Sequence, residues 1–147
     1  MLTEGLLSVV PRSSIVAATR VQARLWPSIV SLVGMELAAA QQRAVLFDRA
    51  AAEDRLIHLL LDIRSRLAVE GVGDGNRFPL PMNQTEIGEA TGMTGIYVNR
   101  LMGRMVRDKR IEVQRPYVRL LDRAGFEERI ATLDLAPVTE AVWSGRD

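Results

Sequence analysis

Residues 82–110 read MNQTEIGEATGMTGIYVNRLMGRMVRDKR, and the order of caps and glycines in this stretch decides the fold. Asn83 is a strong helix N-cap, and Glu86 stands three residues later, the spacing of a capping box. A short helix is predicted through Ile87 and Ala90 to Thr91, where Gly92 stops it. Thr94 then caps a second helix, predicted from Gly95 to about Lys109. Two short helices joined by a tight turn containing glycine form a helix-turn-helix pattern. The first helix needs a small residue where the second crosses it, and Gly88 and Ala90 are the candidates.

The second helix has two chemically distinct faces. Val98, Leu101, Met102 and Met105 fall on one side and are expected to be buried. Gly95, Ile96, Asn99, Arg100 and Gly103 fall on the other. Arginine pairs in bidentate fashion with guanine and asparagine with adenine, so Asn99 and Arg100 suit base edges in a duplex groove. Beyond this helix, Arg110–Gln114 and Tyr117–Leu121 each nearly alternate, with Arg115-Pro116 between them. That pattern predicts a β-hairpin wing. From Thr94 to Arg119 the basic residues are Arg100, Arg104, Arg107, Lys109, Arg110, Arg115 and Arg119, against Asp108 and Glu112. The chain as a whole carries net +1, so positive charge is concentrated in this segment. Counterion release from a duplex demands such a concentration. A charge run alone is usually a solvated helix face. Its coincidence with the two helices and the hairpin points to double-stranded DNA as the partner.

Toward the N-terminus, Phe78-Pro79-Leu80-Pro81-Met82 must be extended, because each proline disfavours helix in the residue before it. The glycine-rich run Gly71–Asn76 is a break rather than a phosphate cradle, since no Gly-Lys-Ser/Thr follows. Before it, Leu56, Leu59, Leu60, Ile63 and Leu67 mark the core face of a helix that opens near Ala50. His58 lies beside this stripe, with Asp54 and Asp62 one turn away on either side, and reads as an ordinary packed histidine. A longer helix is predicted from Pro27 to Phe47. Its apolar or small positions Trp26, Val30, Val33, Leu37, Ala40, Ala44 and Phe47 step by 4, 3, 4, 3, 4 and 3, a heptad seam. Burial against the same chain would satisfy that seam, but a parallel pair of helices in a homodimer fits it better. Leu6–Pro11 reads as one strand, Ser13 or Ser14 as the cap of a short helix to about Arg24, and Phe126–Leu133 as a short C-terminal helix. Pro137 to Asp147 is expected to fray.

The chain has 147 residues, which fits one domain or a small domain plus a long connecting element. Hydrophobic residues at 48% and charged residues at 25% exclude a wholly disordered chain. With no cysteine, disulfides and cysteine-held metals are excluded; one histidine leaves no His-rich metal site and little room for His-based acid–base chemistry, and no catalytic, cofactor or metal residues are assigned. The start lacks the pattern of a signal peptide. The apolar run Ile29–Ala40 is interrupted by Ser31, Gly34 and Glu36, so no membrane span is expected and a cytoplasmic location is.

The run from Phe78 to Leu121, containing FPLPMNQTEIGEATGMTGIYVNRLMGRMVRDKRIEV, resembles the C-terminal DNA-binding domain of the Crp/Fnr transcription regulators. The long helix and the break near Asp48 resemble that family's dimerisation helix and hinge, and Leu7–Ser13 resembles the last strand of its effector-binding β-roll. The resemblance implies a mainly α fold, a long dimerisation helix followed by a winged helix-turn-helix with a small hairpin wing. It implies a β-roll remnant with a short helix over 1–26, and a dimerisation helix, hinge and following helix over 27–70. A linker over 71–81, the winged domain over 82–123 and a C-terminal helix and tail over 124–147 complete it. Arg100 matches the family's base-contacting arginine, Thr94 the capping, phosphate-facing position, and Gln84 and Tyr97 positions near the phosphate backbone. Arg104 and Arg115 join the expected phosphate contacts, and Val30, Val33, Leu37, Ala40, Ala44 and Phe47 the expected dimer interface. Gly95 and Ile96 share the base-reading face, but they stand where the best-studied members carry polar or charged readers. Those members' operators therefore do not transfer. Most of the sensor β-roll has no counterpart in these residues, which leaves the effector unknown. The expected function is sequence-specific transcription regulation by a homodimer on a near-palindromic operator. The alternative is an interaction protein that pairs with a full-length relative and modulates it.

Overall fold

A computed structural model describes residues 8–133 of the chain. In order, the elements are α1 (Arg12–Val21), α2 (Leu25–Arg49), α3 (Ala52–Val69), β1 (Arg77–Pro79), α4 (Gln84–Thr91), α5 (Gly95–Arg107), β2 (Ile111–Gln114), β3 (Tyr117–Leu120) and α6 (Arg123–Ala131). The fold is mainly helical with one small antiparallel sheet. The chain divides into two units, and the boundary falls inside α2 between Ala44 and Val45.

The first unit holds α1 and most of α2. The cap of α1 is Pro11 rather than Ser13 or Ser14, and the helix ends at Val21 rather than near Arg24. Pro11 has φ −60° and ψ 142°, and its carbonyl receives the amides of Ser14 and Ile15, so both serines lie inside the first turn. Of the predicted strand Leu6–Pro11, Leu6 and Leu7 lie outside the described residues, and Ser8–Pro11 form no strand. The seam positions of α2 within this unit are exposed, Val33 at 61% and Leu37 at 57% of their full surface. Val30, Ala40 and Ala44 are exposed with them.

The second unit is built around one core. Leu56, Ile57 and Leu60 from α3 meet Phe78 from β1, Ile87 from α4, and Val98, Leu101, Met102 and Met105 from α5. Ile111, Val118 and Leu120 from the sheet and Phe126 from α6 complete it. The buried face of α5 is thus the one its apolar spacing prescribes. Ile57 joins α3's buried stripe, while Leu59, Ile63 and Leu67 pack at its margin.

The sheet has three strands in the order β1-β3-β2, where the sequence suggests a two-stranded hairpin. Phe78 pairs with Val118 and Val113 with the other side of the same residue. Pro79 hides β1 from sequence reading, because proline lacks an N–H for a ladder. It is tolerated since β1 is an edge strand. Part of the stretch expected to be a linker, residues 71–81, therefore belongs to the core. At the other end of the unit, α6 starts at Arg123, and Asp122 caps it through the Gly125 amide at 3.2 Å. The described residues end at Leu133, so Pro137 to Asp147, where fraying is expected, lie outside them.

Candidate nucleic-acid interface

Local sequence sets the turn between α4 and α5. The Asn83 side chain accepts from the amides of Thr85 (2.9 Å) and Glu86 (3.0 Å), and Glu86 Oε2 accepts from the Asn83 amide (2.6 Å). This is the predicted capping box, satisfying donors that the first helical turn would otherwise leave open. Gly92 ends α4 with φ 67°, a left-handed conformation that glycine adopts without steric cost. Thr94 Oγ1 accepts from the Tyr97 amide at 3.3 Å and opens α5.

Close approach between the two helices rests on Gly88. A Cβ there would stand 2.5 Å from the Met93 carbonyl oxygen. Ala90, the other small candidate, is exposed and takes no part in the crossing, because it falls on the solvent side of α4. Gly95 sits where the helix starts meet, and a Cβ on it would lie 3.3 Å from the Thr85 nitrogen. Helix α5 ends at Arg107 instead of about Lys109, since Lys109 turns to φ 54° and the Arg110 amide reaches back to the Met105 carbonyl.

The outward face of α5 carries Ile96, 78% exposed, together with exposed Asn99 and Arg100. Asn99 Oδ1 accepts a hydrogen bond from Gln84 Nε2 at 2.8 Å, so one base-reading and one phosphate-facing candidate form a single amide pair across the two helices. The pair borders a groove of about 590 Å³ between α5 and the wing, which Arg115, Tyr117 and Val106 also line. Tyr97 lies on the adjoining face with Arg100, Arg104 and Arg107, around a cavity of about 330 Å³. Arg115 occupies the β2–β3 turn and is exposed.

The seven basic residues of this segment do not stand alike. Arg104 binds Glu53 Oε2, Arg110 binds Glu53 Oε1 (2.8 Å) and Asp122 (3.4 Å), and Arg119 lies 3.9 Å from Glu112. Arg100, Arg107, Lys109 and Arg115 have no ion pair among the described residues. Sequence reasoning did not find the acidic side of this arrangement. Glu53 and Asp54 open α3, and Arg129 from α6 pairs with both, reaching buried Asp54 through Nε. Arg55 donates to the Thr91 carbonyl at 2.8 Å and so satisfies the C-terminus of α4. The available signal was an acid pair opening a helix in a chain whose surplus bases lie about fifty residues later.

Phe47, the last seam position, falls in the second unit. One of its ring carbons lies 2.8 Å from where a Gly92 Cβ would be, and the Arg55 guanidinium stands 5.8 Å from the ring centre. Among the described residues, no helix is long and apolar enough to cross a membrane. Nor, among the described residues, is any group of three or more His, Asp or Glu side chains placed to hold a metal.

The profile of the Crp-like helix-turn-helix domain matches residues 54–129, from the first turn of α3 into α6. The chain belongs to this family. The match thus begins at Asp54, the second acid of the pair that opens α3, and the three-stranded sheet lies wholly inside it. The chain is 28% identical over 98 residues to the transcriptional activator protein FnrA of Stutzerimonas stutzeri, covering 67% of this chain and 40% of that protein. It is 31% identical over 99 residues to the transcriptional regulatory protein btr of Bordetella pertussis, again 67% of this chain and 40% of the relative. By fold it matches the structure of FixK2 from Bradyrhizobium japonicum with a TM-score of 0.70 at 22% identity, over 81% of this chain and 58% of that one. The chain spans about 40% of the length of these curated relatives. They are transcription regulators rather than enzymes, and this chain carries the helix-turn-helix domain of a Crp/Fnr-type transcription regulator.

Proposed function

We propose that the chain is a cytoplasmic, sequence-specific DNA-binding regulator that acts as a homodimer. Each subunit lays α5 in a major groove. Arg100 takes a guanine edge, Asn99 an adenine edge, and Ile96 packs on a thymine methyl. Gly95 brings its backbone close without a side chain of its own. Thr94, Gln84, Tyr97 and Arg115 hold phosphates, which fix position without reading sequence. The α2 seam of Val30, Val33, Leu37, Ala40 and Ala44 pairs two copies about a two-fold axis. Half-sites then lie about 34 Å apart, one helical turn of the duplex, on a near-palindromic operator.

One observation carries this reading. The helix whose inner face is fully committed to the core presents Ile96, Asn99 and Arg100 together on its exposed face. Selection of bound duplexes from a random pool tests it. A two-fold symmetric consensus is expected, and recovery of unrelated sequences at uniform affinity refutes base reading.

A further inference from the structure

The surplus of bases in the Crp-like domain overstates the number available to DNA. Glu53, with its side chain 16% exposed, uses its two oxygens differently. Oε1 takes Arg110 at 2.8 Å and Arg129 at 3.4 Å, whereas Oε2 takes Arg104. Arg110 has a second carboxylate in Asp122 and lies over the Phe126 ring, 4.4 Å from its centre. Arg129 has a second carboxylate in Asp54. Arg104 has no other carboxylate among the described residues. Its side chain is nonetheless 49% exposed and borders the same cavity as Arg100 and Arg107, which stand about one helical turn before and after it on the same face.

We infer that Glu53 is a positioning residue for DNA binding: it clamps Arg104 to α3 and withholds that cation from the phosphate backbone. This rests on the DNA-binding reading above. Arg104 stays a phosphate candidate only in a chain that has lost the Glu53 charge. A guanidinium shared with a carboxylate has its charge neutralised within the protein and displaces no counterion from the duplex. Removing the Glu53 charge leaves Arg110 and Arg129 paired and liberates Arg104 alone. Each additional phosphate neutralised steepens the dependence of log K on log salt by about 0.9.

The test measures binding of the full chain to a mixed-sequence 30-base-pair duplex between 50 and 200 mM KCl, by fluorescence anisotropy, with thermal melts of each variant. Glu53→Gln is expected to steepen the salt slope by about 0.9 per bound subunit, an extra loss of about 3.5-fold over that salt range. Arg104→Ala is expected to leave the slope of the unaltered chain in place. The double variant is expected to return to that slope. A purely architectural Glu53 shifts the melting temperature and leaves every slope alone, which overturns the proposal. An Arg104→Ala slope flattened by about 0.9 also overturns it, because Arg104 then already holds a phosphate. Where Glu53→Gln does not fold, Arg104→Ala still tests the proposal: an unchanged slope supports it, and a slope flattened by about 0.9 overturns it. An unaltered chain that binds no duplex removes the DNA-binding reading; one that binds with the wrong slopes removes only the role of Glu53.

Discussion

Asn99 and Arg100 are adjacent, yet the fold prepares them differently. Arg100 is a cation without an ion pair among the described residues, and its fork is open to the solvent face of α5. Arg100→Ala is expected to cost about 1–3 kcal/mol on a selected operator and to relax preference at one base position. Titration against the consensus and its single-base variants reads both effects, and unchanged preference removes Arg100 from the reader set. Asn99 is instead oriented by Gln84 Nε2, which donates to its Oδ1 at 2.8 Å and leaves the second lone pair of that oxygen and the amide donors for an adenine edge. An asparagine that reads adenine needs its amide plane fixed, so Gln84 and Asn99 are expected to be energetically coupled. A double-mutant cycle of Gln84→Ala and Asn99→Ala is expected to show about 0.5–3 kcal/mol of coupling in operator affinity. Strict additivity means that the pair dissolves when DNA binds.

The turn between α4 and α5 was legible in the sequence because everything that builds it is local. Asn83, Glu86, Gly92 and Thr94 lie within a dozen positions, and each acts on its own neighbours. The buried face of α5 was legible for the same reason, since helical periodicity alone separates Val98, Leu101, Met102 and Met105 from Asn99 and Arg100. What escaped depends on distant partners. Strand β1 is set by pairing with Tyr117–Arg119 some forty residues away, and its own prolines argue for extension without saying what it pairs with. The Glu53 network joins α3 to residues 51, 57 and 76 positions further on, a separation that no local pattern encodes. The choice between Gly88 and Ala90 also needed three dimensions, because both are small and only one faces the crossing helix. Gly88→Ala places a methyl 2.5 Å from a backbone oxygen that cannot rotate away. It is expected to destabilise the domain by about 1–3 kcal/mol despite the better helix propensity of alanine. A urea titration in which Gly88→Ala matches or exceeds the parent's stability contradicts the close crossing.

A single helix-turn-helix contacts one half-site, so the energetics of the proposed regulator depend on how two copies are joined. The exposed seam of α2 is the proposed means. Val33 and Leu37 keep more than half of their surface in contact with water, and Val30, Ala40 and Ala44 continue the stripe at alternating steps of three and four. Pairing two such stripes removes apolar surface from water, worth about 25 cal/mol per Å² before the entropy of association is subtracted. Joining the copies also makes the second half-site contact intramolecular, which raises operator affinity without any new protein–DNA contact. Leu37→Glu sets two carboxylates against each other at the centre of this seam while leaving α5 untouched. Sedimentation is expected to show a monomer at concentrations where the parent is a dimer. Affinity for a full operator is expected to fall to that for an isolated half-site, and base preference within the half-site to persist. These two measurements fail in different ways. A Leu37→Glu protein that remains a dimer places the pairing surface elsewhere on the chain. A monomer that keeps full operator affinity shows that one subunit suffices, so the two-fold operator is not how this chain finds its sites.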